Sequence, residues 1–261
     1  MTRKRESLRL GGEWWVHERP FRHFRARGVF PQREFAAMNR AYDELLSGSE
    51  EQEPGAPRFG RSNASYDPLT LPLDSDRAGS FAALFNAPWL HALAHLIGVP
   101  ESPWVDAGLH FCPQGSRSGW IHTDYCIGWF DRDGGETRGL RWPDRTRCSY
   151  FTGVAKSGRV AAVAYARVAS AILYLENPGW TESDGGETGL YSASEDSLGT
   201  EQVRVPPVGN TLLAFECGPH SYHRFLANPG RARRSIVLWL HSTPESATKR
   251  WNGRAPRRIP R

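Results

Sequence analysis

Two side chains in one short segment have the chemistry to bind a metal ion together. His122 and Asp124 stand two residues apart in WIHTDY (120–125), a predicted β-strand, and side chains at this spacing point to the same face of a strand. A divalent metal bound there would have one nitrogen and one carboxylate ligand. An isolated His-x-Asp pair is a weak signal, so further ligands have to be sought elsewhere in the chain.

The segment 210–242 offers a third ligand and a fixed cation. His223 follows a predicted strand, and Arg233 stands ten residues later, at the start of the next predicted strand. Two histidines and one carboxylate on one side of iron(II) leave positions open for oxygen and substrate. Arg233 could anchor an acidic co-substrate, because a guanidinium is always charged and binds carboxylates in a bidentate manner. Ser235 would point the same way and add a hydroxyl donor.

Each of these assignments has a rival nearby. His220 precedes His223 by three residues, and Arg234 adjoins Arg233. The strand phase and the Ser-x-His spacing favour His223 over His220. Arg233 is favoured over Arg234 because residues 233, 235, 237 and 239 share one strand face and the intervening residues share the other.

The remaining histidines have structural interpretations. His91 and His95 lie four apart on a predicted helix, but no third ligand accompanies them, so we expect amphipathic packing. His110 could face the site or belong to the core. His241, at a strand end, is expected to be structural.

The surrounding elements are mainly short strands. Helices are predicted over 31–46 and 87–97, and after Pro103 short strands alternate with Gly, Pro and Asp clusters, which is typical of a β-sandwich or barrel. The predicted strands are 105–111, 120–125, 166–176, 186–192, 202–206, 210–216 and 235–241. Residues 126–165 interrupt the series as a long insertion suited to a mobile lid over the site.

Composition and charge exclude several classes of protein. Hydrophobic residues make up 39% and charged residues 23% of the 261 residues, as in a globular protein, and one domain spanning 1–261 is the default expectation. The net charge is +5, but residues 1–10 carry +3 and residues 248–261 carry +6, so the rest of the chain carries −4. We therefore expect no nucleic-acid-binding surface within the folded body. The chain has neither a signal-like nor a membrane-spanning apolar run, and its four cysteines form no Cys-x-x-Cys pair, so we expect a cytoplasmic protein with reduced thiols.

The order of these motifs resembles a known family. His122-x-Asp124, then ILYLENPGWTESDGGETGLYS, then Ser221-Tyr-His223, then Arg233-x-Ser235 and Trp239 are similar to the iron(II)- and 2-oxoglutarate-dependent dioxygenase superfamily, within its prolyl-4-hydroxylase-like branch. The resemblance covers about residues 105–242. Glu176, where asparagine is usual, Thr188, where leucine is usual, and the long 126–165 insertion depart from the pattern.

The resemblance implies a fold, a set of cofactors and a set of roles. The fold would be a mainly β, double-stranded β-helix (a jelly-roll, cupin-like core over about 105–242) with flanking N-terminal helices within about 20–100. Fe(II) would be held by His122, Asp124 and His223. The co-substrate 2-oxoglutarate would be bound by Arg233, Ser235 and Tyr174, and O2 would be the oxidant. Because Asp124 is present, where related halogenases have Gly or Ala, hydroxylation of an unactivated carbon is favoured, with desaturation, epoxidation or ring formation left open.

The substrate is open at this stage. A small amino-acid-like metabolite, in specialised biosynthesis, is the first candidate, because the chain is compact and carries no peptide-binding module. A prolyl residue in a protein or peptide is the second. A non-catalytic jelly-roll binding module and a nucleic-acid demethylase are alternatives of other kinds. Neither the oligomeric state nor the role of the basic tails follows from the sequence.

Overall fold

The computed structural model describes residues 2–3, 10–48, 58–61, 67–134, 136–193 and 201–259. Sixteen strands and three α-helices lie in these ranges. The strands are β1 (Thr2–Arg3), β2 (Glu13–His17), β3 (His23–Arg27), β4 (Gly60–Arg61), β5 (Leu69–Pro72), β6 (Val105–Cys112), β7 (Cys126–Asp131), β8 (Glu136–Thr137), β9 (Leu140–Arg141), β10 (Ala162–Tyr174), β11 (Thr188–Tyr191), β12 (Val203–Val205), β13 (Thr211–Glu216), β14 (Tyr222–Phe225), β15 (Arg233–Ser242) and β16 (Arg257–Arg258). The helices are α1 (Gln32–Gly48), α2 (Ala87–Ile97) and α3 (Pro244–Arg250).

Two facing sheets form the predicted double-stranded β-helix. The major sheet has the order β1-β2-β3-β13-β10-β15-β6-β5-β4, with β7 pairing the N-terminal half of β10, and the minor sheet has the order β12-β11-β14. Apolar side chains from both sheets meet between them, and this inner cluster comprises Ile172, Tyr174, Leu190, Val205, Leu213, Phe215 and Val237. The inner faces of the two sheets therefore enclose the space in which a site can form.

The helices cover the outer face of the major sheet. α1 buries Phe35, Met38 and Tyr42 at helical spacing, as predicted for residues 31–46. α2 spans the predicted residues 87–97, because the Asn86 side chain accepts a hydrogen bond from the Trp89 backbone N–H at its start. Gly98, with φ of 88°, ends it in the left-handed conformation that glycine adopts without strain.

Several sequence predictions of secondary structure were wrong. The N-terminal part is only partly helical, because β2 and β3 form a hairpin that joins the major sheet beside β13. Residues 120–125 are not a regular strand, and only a bridge between His122 and His223 connects them to the minor sheet. The stretch 126–165 is not one loop, since it begins with β7 and ends within β10.

The C-terminal basic segment is also structured. It starts within α3, and β16 pairs in parallel with β7. Of the predicted basic tails, residues 1, 4–9 and 260–261 lie outside the described residues. Within the described ranges, no helix is both long and apolar enough to cross a membrane. The four cysteines are buried and unpaired, as expected.

Candidate metal and co-substrate site

The structure brings His122, Asp124 and His223 together. The backbones of the two histidines exchange hydrogen bonds, His122 N–H to His223 C=O at 3.1 Å and the reverse at 2.9 Å. The Asp124 carboxylate lies between their rings, with Oδ1 3.7 Å from Nε2 of His122 and Oδ2 3.5 Å from Nε2 of His223. Among the described residues, these three form the one group whose ligand atoms, all within 4.8 Å of one another, could hold a metal ion.

Backbone carbonyls orient both imidazole rings. Nδ1 of His122 lies 3.0 Å from the Trp120 carbonyl, and Nδ1 of His223 lies 3.1 Å from the Ser221 carbonyl. Since a carbonyl only accepts, each Nδ1 carries the proton and each Nε2 has its lone pair free. Metal-binding histidines are typically held in this way.

Two further side chains hold the Asp124 carboxylate. The Trp239 indole N–H donates to Oδ2 at 2.7 Å, and the Arg167 guanidinium lies 3.6 Å from Oδ1. Burial alone would raise the pKa of Asp124, but His223, Arg167 and His122 together hold it well below its usual range. The carboxylate is therefore ionised and fixed in orientation, as a metal ligand must be.

Arg233 lies on the inner face of β15, as the strand phase predicted. Its side chain is buried, donates to the Gly186 carbonyl at 3.2 Å and to the Thr188 hydroxyl at 3.3 Å, and lies beside the Tyr174 ring. The Tyr174 hydroxyl contacts that of Thr188 at 2.7 Å. Thr188, a departure from the family pattern, thus takes part in this cluster.

The double glycine allows the backbone to approach Arg233. Gly185 and Gly186 have φ of 68° and 84°, and a Cβ at Gly185 would lie 2.2 Å from the Ala227 carbonyl oxygen. Only glycine combines this conformation with such a close contact. The pair is a structural turn, which places the Gly186 carbonyl against Arg233.

Two polar atoms in this cluster have no partner among the described residues. Ser235 is fully buried, and neither its Oγ nor Nε of Arg233 has a hydrogen-bond partner. Buried polar groups are seldom left unpaired, so each such group calls for an explanation. A co-substrate carboxylate beside Arg233 would supply acceptors for both atoms.

The rival residues lie elsewhere. Arg234 points to the outer face and pairs with Asp43 of α1 at 2.6 Å. His220 contacts Arg254 at 2.7 Å and does not join the metal cluster. His91 pairs with Glu101, and His95 is exposed.

His110 is partly buried and His241 is fully buried, and neither belongs to the metal cluster. His110 lines the cavity described below, and burial, followed by the charge of Arg233, lowers its pKa to about 4. Nε2 of His241 contacts the Tyr150 hydroxyl at 2.8 Å. Burial, followed by the charge of Arg167, lowers its pKa to about 3. Both side chains are therefore neutral near pH 7.

Sequence reasoning missed a buried row of charges next to the metal ligands. Arg167 lies 3.5 Å from Asp106, which in turn accepts from Arg145 at 2.5 Å, and Nε of Arg167 donates to the Tyr150 hydroxyl at 3.0 Å. A simple alternation along β10 would place Arg167 on the outer face. A β-bulge between residues 167 and 169 reverses this phase, so that Arg167 pairs with His241 and faces inward.

These groups line one cavity of about 530 Å³, a volume typical of small-molecule sites. Its wall includes His122, Asp124, Asp106, Arg145 and Arg167. The apolar part of the lining consists of aromatic and aliphatic side chains, among them Trp120, Tyr150, Phe151, Phe225, Trp239 and Ile259. The parts of the predicted lid that reach the cavity are Cys126, Arg145 and residues 149–152.

A double-stranded β-helix with two histidines and a carboxylate at a cavity is the arrangement of a non-haem iron oxygenase. Residues 121–241 match the model of the 2OG-Fe(II) oxygenase superfamily. This match confirms the resemblance seen in the sequence, and the oxygenases of that superfamily use Fe(II), 2-oxoglutarate and O2. None of the curated proteins matches the chain.

Solved structures share the fold at low sequence identity. A prolyl-4-hydroxylase from Pseudomonas putida is 19% identical, with a TM-score of 0.52 over 85% of this chain and 92% of that one. A Trichoplax adhaerens prolyl hydroxylase in complex with a hypoxia inducible factor peptide fragment is 14% identical, with a TM-score of 0.53 over 87% and 86%. The carbocyclase SnoK from nogalamycin biosynthesis is 12% identical, with a TM-score of 0.52 over 84% and 79%. The fold is thus shared by proteins that differ in substrate.

Proposed function

We propose that the protein hydroxylates an unactivated carbon of a small amino-acid-like metabolite, with His122, Asp124 and His223 as the iron ligands. The observation that carries this proposal is the convergence of the three ligand atoms within 4.8 Å of one another, with His122 and Asp124 at the wall of a cavity of about 530 Å³. When bound, iron and 2-oxoglutarate supply the oxidising chemistry: O2 is consumed, 2-oxoglutarate becomes succinate and carbon dioxide, and one oxygen atom enters the substrate.

The residues of the chain provide binding and orientation. His122 and His223 present Nε2 to the metal because backbone carbonyls hold Nδ1, and Trp239 and Arg167 fix the Asp124 carboxylate. Three protein ligands leave the other metal positions open. The presence of Asp124 is consistent with a hydroxylase, because related halogenases lack this carboxylate and bind chloride in its place.

Arg233, Ser235 and Tyr174 are the proposed co-substrate residues. The buried guanidinium would pair with the far carboxylate of 2-oxoglutarate, where a charge without a counter-ion would be costly. Ser235 Oγ and Arg233 Nε, both unpaired among the described residues, would donate to the same carboxylate. Tyr174 contributes ring packing against the guanidinium and a hydroxyl contact to Thr188.

The cavity supports a small substrate. Its volume fits a metabolite and is lined by a few charged groups among apolar ones, which is typical of small-molecule sites. Closure of Arg145 and residues 149–152 over a bound molecule remains a prediction. Four buried, unpaired cysteines fit the proposed cytoplasmic location.

The test measures whether a substrate stimulates the conversion of 2-oxoglutarate to succinate and gains an oxygen atom itself. Purified protein is supplied with Fe(II), 2-oxoglutarate and a library of amino acids and small carboxylic acids, and succinate is measured by mass spectrometry together with mass gains of one oxygen atom. Succinate formation stimulated by a small acid supports the proposal. Stimulation by proline-containing peptides alone would favour the peptide hydroxylase, and the absence of both iron binding and succinate would overturn the enzymatic proposal.

A further inference from the structure

The cavity wall carries an alternating row of charges that begins at the metal ligand Asp124 and extends beyond the metal cluster. From the ligand Asp124 the row runs to Arg167 at 3.6 Å, then to Asp106 at 3.5 Å, and ends at Arg145, 2.5 Å from Asp106. The Asp106 side chain is 2% exposed and that of Arg167 is 9% exposed, whereas Arg145 is 26% exposed. Arg145 is therefore the member of the row that a ligand can reach.

The charges of the loaded site do not balance without a further anion. Iron(II), the 2-oxoglutarate dianion, Asp124 and Arg233 together sum to zero. Asp106 then offsets only one of the two guanidinium groups of Arg145 and Arg167, and the wall keeps one positive charge. The buried histidines do not alter this sum, because desolvation keeps His110 and His241 neutral. Because Asp106 and Arg167 are nearly buried, an unmatched charge beside them is costly, and the loaded site favours a monoanion.

Arg145 retains donors for such an anion, whereas Arg167 does not. Arg145 donates to Asp106 and, at 3.4 Å, to the Leu73 carbonyl, and a guanidinium has five N–H donors in all. Arg167 is already engaged, since it contacts two carboxylates and the Tyr150 hydroxyl and stacks 3.8 Å from the Trp239 ring centre. Arg167 thus holds Asp124 and Asp106 in place, whereas Arg145 has donors left to bind an anionic ligand.

The same cavity also has exposed apolar side chains. Trp120 and Phe151 line the cavity and are 39% and 48% exposed, among the few large hydrophobic side chains with such exposure in the described part of the chain. Exposed aromatic groups at the mouth of a cavity often contact an apolar part of a ligand. The wall therefore combines one cationic end with an aromatic rim.

We propose that the substrate is a monocarboxylate, whose carboxylate binds Arg145 while its apolar portion lies against Trp120 and Phe151. This inference rests on the proposed function and narrows it. Because three ion pairs separate Arg145 from Asp124 along the wall, a carbon farther along the molecule would be the one presented to the metal. A prolyl residue inside a peptide would have no carboxylate of its own to place there, because its carboxyl group is part of an amide bond.

The test compares a carboxylic acid with its amide. The binding of Mn(II) and of 2-oxoglutarate to the full chain is first measured by calorimetry. The protein saturated with both is then titrated with 3-phenylpropionate or with 3-phenylpropionamide. Hydrogen bonds to charged groups make a difference of about 10- to 100-fold in affinity, and we expect the acid to bind more tightly by this factor. Arg145→Gln should abolish the preference. Arg159→Gln, which changes an exposed arginine of the same connecting segment, should keep it.

The charge of the wall provides a second variant. Asp106→Asn removes the carboxylate that both Arg145 and Arg167 contact, so the preference for the acid over the amide should increase. Folding of the variant is checked by circular dichroism. Equal affinity for acid and amide, undetectable binding of the acid, or a preference that survives Arg145→Gln would overturn the inference. If Mn(II) or 2-oxoglutarate itself fails to bind, the proposed function fails instead, so the two failures are distinguishable.

Discussion

The indole N–H of Trp239 donates a hydrogen bond to Oδ2 of Asp124 at 2.7 Å, from a strand separated from the metal-binding segment by more than a hundred residues. The other carboxylate oxygen faces Arg167. The carboxylate is thus held on both sides before a metal arrives. Such contacts set the orientation of a metal ligand, and their loss typically lowers metal affinity by about 10- to 100-fold.

Replacing Trp239 should therefore weaken metal binding. Trp239→Phe keeps an aromatic ring beside Arg167 but removes the donor to Asp124, and we expect a loss of about 10- to 100-fold in Mn(II) affinity by calorimetry, with the fold retained. Trp14→Phe is the matched control, because it removes an indole hydrogen bond of 2.7 Å to Gly11 in the N-terminal hairpin. Equal affinities in wild type and Trp239→Phe would show that this bond does not serve the metal.

The two neighbouring arginines should differ in their effect on 2-oxoglutarate. Arg233→Ala leaves the co-substrate carboxylate buried without a cation, and breaking such a pair typically costs about 3–5 kcal/mol. The apparent 2-oxoglutarate requirement should rise by roughly two to three orders of magnitude. Arg234→Ala removes only the outer pair with Asp43 and should change the requirement little. The opposite ranking in a steady-state titration would mean that the co-substrate lies elsewhere.

How far the sequence predicts this site depends on the local regularity of each strand. Along β15 the alternation is unbroken, so a period of two placed Arg233 inside and Arg234 outside. Along β10 the bulge between residues 167 and 169 shifts the phase, and no residue type in AYARVAS marks it. Arg167 was therefore missed, although it lies beside the predicted ligand Asp124.

The same contrast applies to the elements. The helix over residues 87–97 has a capping asparagine, a proline in its first turn and a terminal glycine, so its bounds follow from local chemistry. Strand β3, by contrast, pairs with β13 nearly two hundred residues away, and β2 pairs with β3. The segment 120–125 has the composition of a strand, but its one bridge is to His223. Its two ligands converge because of tertiary contacts rather than regular alternation.

Ser235 should serve binding rather than stability. Its hydroxyl is fully buried and has no partner among the described residues, so Ser235→Ala should leave the free energy of unfolding of the ligand-free protein unchanged or slightly higher. Affinity for 2-oxoglutarate should fall several-fold. Ser116→Ala is the comparison, because Ser116 donates to the Pro113 carbonyl at 2.7 Å and its loss should cost about 1 kcal/mol. A clear loss of stability in Ser235→Ala would argue for a structural role.

The metal-free protein should lose stability as the pH falls, in part through His241. Its pKa is lowered from 6.5 to about 3 in the folded state. Between these two pH values the histidine is protonated in the unfolded chain but neutral in the folded protein, so protonation favours unfolding. The stability that this histidine contributes is complete above pH 6.5 and is lost as the pH falls towards 3. Urea unfolding of His241→Gln should show a shallower dependence, by at most about 1.4 kcal/mol per pH unit. An unchanged slope would mean that His241 does not titrate in this way.

The most direct test of the metal site is calorimetric titration of Fe(II), under anaerobic conditions, into wild type, His223→Ala and His220→Ala. The structure places His223 within the metal cluster and pairs His220 with Arg254 at 2.7 Å. The wild type and His220→Ala should therefore bind one equivalent of iron with the same affinity, while His223→Ala, with its fold verified by circular dichroism, should bind it at least about 100-fold more weakly. Full binding by His223→Ala, or its loss in His220→Ala, would contradict the assignment of His122, Asp124 and His223 as the iron ligands.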